Sequence, residues 1–130
     1  MSLPSADVEF LKDRGLPYSM QTEAGMICLV LPGFSLPEGC NVPASDLLLR
    51  LAPGFPDVTP DMWWFDPPIT LKNGATIQAT EARETHVGRV WQRWSRHLQE
   101  GQWRSGIDRL ENYLALIRAE VARCCRGLAA

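Results

Sequence analysis

The residues of this chain with the clearest chemical potential gather around Ser95. The only two histidines, His86 and His97, flank it. Side chains two apart in an extended segment point to the same side, so Ser95 and His97 could share a face. A serine hydroxyl is a poor nucleophile near neutral pH and needs an adjacent base. An imidazole titrates in the right range to take its proton. Arg96 and the backbone N–H groups of the surrounding loop are candidates for stabilising a developing oxyanion. A small serine hydrolase ranks last, because Ser95 lies in no G-x-S-x-G elbow and no acidic third member is defined.

Composition narrows the classes. The chain has 130 residues, enough for one domain with a single core. It is 45% hydrophobic and 22% charged, with a net charge of −2, which argues against nucleic-acid or membrane-surface binding. No apolar run approaches the roughly 20 residues of a membrane span, and the first residues lack the pattern of a secretory signal. The four cysteines, Cys28, Cys40, Cys124 and Cys125, form no C-x-x-C pair. A zinc site therefore has no ligand framework, and no metal or cofactor is expected. A cytoplasmic location follows from the same reading, with the cysteines reduced and serving as small core residues rather than as disulfides.

The elements that must position Ser95 can be traced along the chain. Residues 6–14 suit a short helix capped by Ser5 and stopped by Gly15. Residues 18–23 and 26–31 read as a hairpin about Ala24-Gly25. The Pro- and Gly-rich stretch 32–43 reads as a loop. Residues 46–51 and 62–65 supply third and fourth strands, and 70–85 an irregular loop or small hairpin. From Trp103, the apolar residues Ile107, Leu110, Tyr113, Leu114, Ile117 and Val121 recur at steps of three and four, predicting a helix to about Cys125 capped by Ser105 or Gly106. The expected fold class is α+β, with a four-stranded antiparallel meander and helices on one side. Trp91, Trp94 and Trp103 are expected as core or loop anchors. Trp63 and Trp64 are adjacent and must face opposite ways on a strand. Arg89, Arg93, Arg96, Arg104 and Arg109 suit a solvated face.

The order of elements and four spaced motifs resemble the ubiquitin-conjugating (UBC-like) superfamily. An aromatic-Pro-x-x-x-Pro element follows the third strand as Phe55-Pro56-Asp57-Val58-Thr59-Pro60. His86 precedes Ser95 by nine residues, and Trp103 follows Ser95 by eight, just ahead of the C-terminal helix. The resemblance covers roughly residues 5–125 of a single domain, 1–130, and is strongest to the divergent bacterial proteins called family E. It aligns Ser95 with the family's catalytic cysteine. No cysteine lies between Cys40 and Cys124, and the family's His-Pro-Asn signature reads His86-Val87-Gly88 here, without the asparagine.

The resemblance implies a protein that takes the C-terminal acyl group of a ubiquitin-like protein from an activating enzyme. It would hold the group as an oxyester on Ser95, with His97 as base, and pass it to an acceptor. His86 matches a histidine that is chiefly structural in the family. The implied partners are a ubiquitin-like protein, an activating-like enzyme and a JAB-type peptidase of the same operon, in a stress or antiviral setting. The competing expectation is an inactive module that binds such proteins non-covalently.

Overall fold

The computed structural model describes residues 2–126. It is an α+β arrangement of two helices and one six-stranded antiparallel sheet. Helix α1 spans Ser5–Asp13; the strands are β1 Ser19–Glu23, β2 Met26–Ser35, β3 Ala44–Leu51, β4 Trp63–Asp66, β5 Arg83–His86 and β6 Arg89–Trp94; helix α2 spans Leu110–Arg126. The spatial order is β1-β2-β3-β4-β6-β5.

The first four strands form the expected meander, but two more come from the segment read as an irregular loop and its continuation. His86-Val87-Gly88 lies at the tip of the β5–β6 hairpin, with His86 paired to Arg89. Val87 and Gly88 sit at φ of 46° and 79°, as a tight two-residue turn of this hand requires. A β-branched residue is unusual there, which is why the turn is not legible from composition. Strand β2 also runs further than expected. A bulge between Leu31 and Phe34 lets pairing resume at Phe34–Ser45, so Pro32 and Gly33 interrupt the ladder without ending the strand.

Alternation along the strands builds two cores. Leu29, Leu31, Leu47, Leu49, Leu51, Trp63, Phe65 and Trp94 face α1 and α2, where Leu11, Leu110, Tyr113, Leu114, Ile117 and Val121 complete the larger cluster. The intervening residues Cys28, Leu48, Trp64 and Trp91 form a second cluster on the opposite face. Trp63 and Trp64 do face opposite ways, and both are 3% exposed. Trp64 is covered edge-on by the His86 ring at 5.5 Å, and its Nε1 donates to Glu84 Oε1 at 2.9 Å.

Helix α2 begins at Leu110, later than the apolar spacing from Trp103 suggests. Ile107 is 60% exposed and outside the stripe. Neither Ser105 nor Gly106 caps the helix; an acceptor from α1 does. Asp7 Oδ1 accepts from the Leu110 N–H at 3.2 Å, and its two carboxylate oxygens accept from Arg109 at 3.2 and 3.0 Å. Asp7 is 1% exposed, so one buried carboxylate both caps α2 and fastens α1 to it.

The cysteine expectation needs correcting. Cys40, ahead of β3, and Cys125, in the last turn of α2, form a disulfide with a Cα–Cα distance of 5.7 Å. They are 85 residues apart and meet only because α2 crosses back over the sheet. Cys28 and Cys124 are free thiols.

Removing the Asp7 carboxylate leaves a helix-end N–H and the Arg109 guanidinium without their shared partner. Asp7→Ala is expected to lower stability by about 2–4 kcal/mol in urea unfolding. A loss below about 0.5 kcal/mol would show that α2 does not depend on this cap.

Candidate functional site

Ser95 is the first residue after β6 and is half-buried. Its N–H donates to Ala79 O at 3.0 Å, and Ala79 holds a φ of 60° on the opposing segment. Its Oγ accepts from Arg93 Nε at 3.1 Å, which leaves the hydroxyl proton available to another acceptor. Ser95 opens on a cavity of about 440 Å³ walled by residues 76–79 and by Glu120, Arg123 and Cys124 of α2.

His97 lies elsewhere. Its ring Nδ1 is 2.6 Å from Asp61 Oδ1, in a pair whose side chains are 66% and 54% exposed. It borders a second cavity, of about 300 Å³, together with Trp63, Tyr113, Leu98 and Leu116. Among the described residues no hydrogen bond joins Ser95 to His97. The chain leaves β6 at Trp94, so the strict alternation that would align positions 95 and 97 no longer holds.

His86 is at the far end of β6. About six extended residues separate the two ends, roughly 20 Å. Its Nε2 is 2.9 Å from Glu84 Oε1, and its Nδ1 is 3.6 Å from Glu23 Oε1. Burial raises the Glu84 carboxyl, but hydrogen bonds with His86, Trp64 and Arg93 outweigh this and leave it below its ordinary value. His86 is thus part of the polar lid over the second core, away from the Ser95 cavity.

Arg96, Glu120 and Arg123 border both cavities. Arg96 Nε donates to Glu120 Oε2 at 2.7 Å, its Nη1 to Gln78 O at 3.1 Å, and its guanidinium lies 4.9 Å from the centroid of the Trp94 ring. Arg123 Nη2 donates to the same Glu120 oxygen at 2.7 Å. Hydrogen bonds from Arg123 and Arg96 hold the Glu120 carboxyl down at about 2, against the opposing effect of burial. The remaining arginines expected on a solvated face are also paired: Arg89 with Asp46 and Asp66, Arg93 with Glu84, Arg104 with Asp108, and Arg109 with Asp7.

The aromatic-Pro element and the tryptophan beyond Ser95 are joined directly. Trp103 Nε1 donates to Pro56 O at 2.8 Å, the Phe55 and Trp103 rings are 6.0 Å apart, and Ser105 Oγ donates to Asp57 Oδ1 at 2.6 Å. Two motifs nearly fifty residues apart therefore fasten the C-terminal part of the loop that carries His97.

These motifs, in this order around one sheet, agree with a match of residues 3–124 to the family model described as prokaryotic E2 family E. The chain belongs to prokaryotic E2 family E. No curated protein and no solved structure matches it. Membership makes the protein ubiquitin-conjugating-like, and the α+β sheet with two helices is consistent with an E2-like fold. Among the described residues no helix is long and apolar enough to cross a membrane, and no cluster of side chains is arranged to hold a metal.

Sequence reasoning passed over Glu120 and Cys124. Positions 120, 123 and 124 are spaced i, i+3, i+4 and must share a helix face. What the sequence does not carry is the register that turns this face toward Ser95.

Glu120 gives the site a pH dependence of definite sign. Its carboxyl is lower folded than the ordinary 4.5, so its stabilising contribution is complete above about 4.5 and lost as pH falls toward about 2. Urea unfolding of wild type and Glu120→Gln across that window is expected to show a shallower acid loss in the variant. Parallel curves would contradict the Glu120 assignment.

Proposed function

We propose that this prokaryotic E2-family protein is a conjugating enzyme. It accepts the C-terminal acyl group of a ubiquitin-like protein from an activating enzyme and passes the group to an acceptor. The observation that carries this reading is the position of Ser95, which opens on a cavity between the end of β6 and α2; its spacing from His86 and Trp103 supports likening it to the family's nucleophile. Ser95 Oγ attacks the thioester carbonyl, the carbon–sulfur bond to the activating enzyme breaks, and the hydroxyl proton ends on the departing thiolate. The product is an oxyester. His97 serves as base after its ring leaves Asp61, and Arg96 sits beside the carbonyl that gathers charge. His86 holds the hairpin in place. A JAB-type peptidase would act on the products of the same pathway, which belongs in the cytoplasm.

A second reading is favoured by one specific contact pattern. Ser95 Oγ is held by Arg93, and His97 is engaged by Asp61, so among the described residues no base stands at the hydroxyl. This suits a module that binds the ubiquitin-like protein without bonding to it.

The two readings separate in one reaction. The full chain is incubated with ATP and with its cognate activating enzyme and ubiquitin-like protein. An adduct that survives dithiothreitol, is cleaved by hydroxylamine and falls at least about tenfold in Ser95→Ala supports the oxyester enzyme. Retained binding with no covalent adduct supports the module.

A further inference from the structure

Four of the five tryptophans have their indole N–H matched to an acceptor. Trp64 donates to Glu84, Trp91 to His86 O, Trp94 to Gln92 and Trp103 to Pro56 O. Trp63 is the exception: its Nε1 is buried and has no hydrogen-bond partner among the described residues. A buried donor left unmatched costs stability, which is why such groups are rare in folded proteins. The ring is not free to swing toward an acceptor, because it stacks on Trp94 at 6.0 Å and meets Tyr113 edge-on at 6.1 Å. A phenylalanine would pack the same face with no donor to match, so the N–H needs a reason other than packing.

Trp63 forms part of the wall of the cavity of about 300 Å³ on which His97 stands. That volume is at the lower end of small-molecule sites and equals the share of roughly ten waters in the liquid. Tyr113, Leu98 and Leu116 give it apolar surface. The polar groups on its wall that stay unmatched are donors. Glu120 is engaged by Arg96 and Arg123, and the Gln102 side-chain oxygen accepts from the Gln99 N–H. His97, on the same wall, is engaged with Asp61. Left over among the described residues are Trp63 Nε1, the Gln102 amide nitrogen and Arg123 Nη1. Two guanidinium groups against one lining carboxylate make the wall net positive. Such a wall complements an acceptor that carries negative charge on an apolar body, and it opposes an amine.

We infer that this cavity is a binding site for a small carboxylate with an apolar, ring-sized body. An oxygen of the ligand accepts from Trp63 Nε1, the guanidinium groups balance its charge, and its body displaces water from Leu98 and Leu116. The inference goes beyond the conjugating reading and does not rest on it, because Ser95 lies on the other cavity.

The test titrates phenylacetate into the full, isotope-labelled chain at constant ionic strength and follows the indole N–H signals by NMR. Saturable binding is expected, half-complete at about 1 mM or below. The Trp63 signal, identified by its contacts with the Tyr113 ring, moves downfield as its proton enters a hydrogen bond. Trp63→Phe keeps a ring but no donor and should bind about tenfold more weakly. Ala119→Trp, at an exposed position on the same cavity, should block binding without touching the core, so the test stands even where Trp63→Phe fails to fold. Phenethylamine and inorganic phosphate should each bind at least about tenfold more weakly, which separates this ligand class from a general affinity for rings or for anions. No saturation up to about 10 mM overturns the proposal. So does a Trp63 signal that stays in place at saturation, equal binding of phenethylamine or phosphate, or unchanged binding in Ala119→Trp or in folded Trp63→Phe. A long-lived water that remains on the Trp63 N–H at saturation overturns it as well, since the donor then has its partner without the ligand.

Discussion

The Arg96 guanidinium is the interaction on which the arrangement of the site depends. It is anchored to the sheet side through Gln78 O and the face of Trp94, and to α2 through Glu120. A planar group with five donors in fixed directions can serve all these partners at once, which a lysine ammonium cannot. Held on both sides, the guanidinium forms, with Glu120 and Arg123, the partition between two hollows that all three border. His97 and Ser95, neighbours but one in the chain, consequently face different spaces. The pairing of Glu120 is partly buried on both sides, with side-chain exposures of 18% and 22% for Arg96 and Glu120. It should therefore be less weakened by salt than the exposed Arg14–Glu111 pair at the other end of α2.

The partition holds only if α2 is set in both rotation and translation against the sheet. Three features do that. Asp7 fixes where the helix starts, the apolar stripe from Leu110 to Val121 fixes which face is inward, and the Cys40–Cys125 bond fixes where it ends. The other face of the sheet is organised for a different purpose. A second small core of Cys28, Leu48, Trp64 and Trp91 lies beneath the β5–β6 hairpin, roofed by His86, Glu84 and Arg89. Bulky aromatics on both faces of β4 make that strand the centre of the molecule, and the hairpin is the cover that keeps Trp64 from water.

Much of this was legible in the residue order, and the parts that were not share a cause. Helix α1, the meander, the inward stripe of α2 and the opposed burial of Trp63 and Trp64 all follow from local periodicity. The start of α2 does not, because its cap is Asp7 on another helix and not Ser105 or Gly106 nearby. The hairpin β5–β6 was hidden by a turn with Val87 at positive φ in place of the usual Asn-Gly, and by arginines along its length whose partners lie on other strands. The disulfide was not legible because the expectation about the cysteines rested on compartment, an argument that says nothing of which sulfurs the fold brings together. Within the site, the spacing of His86, Ser95 and Trp103 identified the family while leaving the chemistry open. A nine-residue separation becomes a whole strand once β6 forms, so His86 and Ser95 stand at its two ends.

The same geometry brings side chains from separate segments onto one cavity. The acyl transfer proposed above requires a nucleophile, a charge-stabilising donor and room for a carbonyl, converging on one point; it does not require that they come from one segment. Here the loop after β6 offers a hydroxyl and a guanidinium, and α2 offers the carboxylate that orders the guanidinium. Trp103 on Pro56 and Ser105 on Asp57 restrain the C-terminal part of the loop that follows His97. His97 itself is held by Asp61 away from the Ser95 cavity, so any use of its ring at Ser95 requires a rearrangement, and binding energy must then be spent on assembly before it can serve reaction.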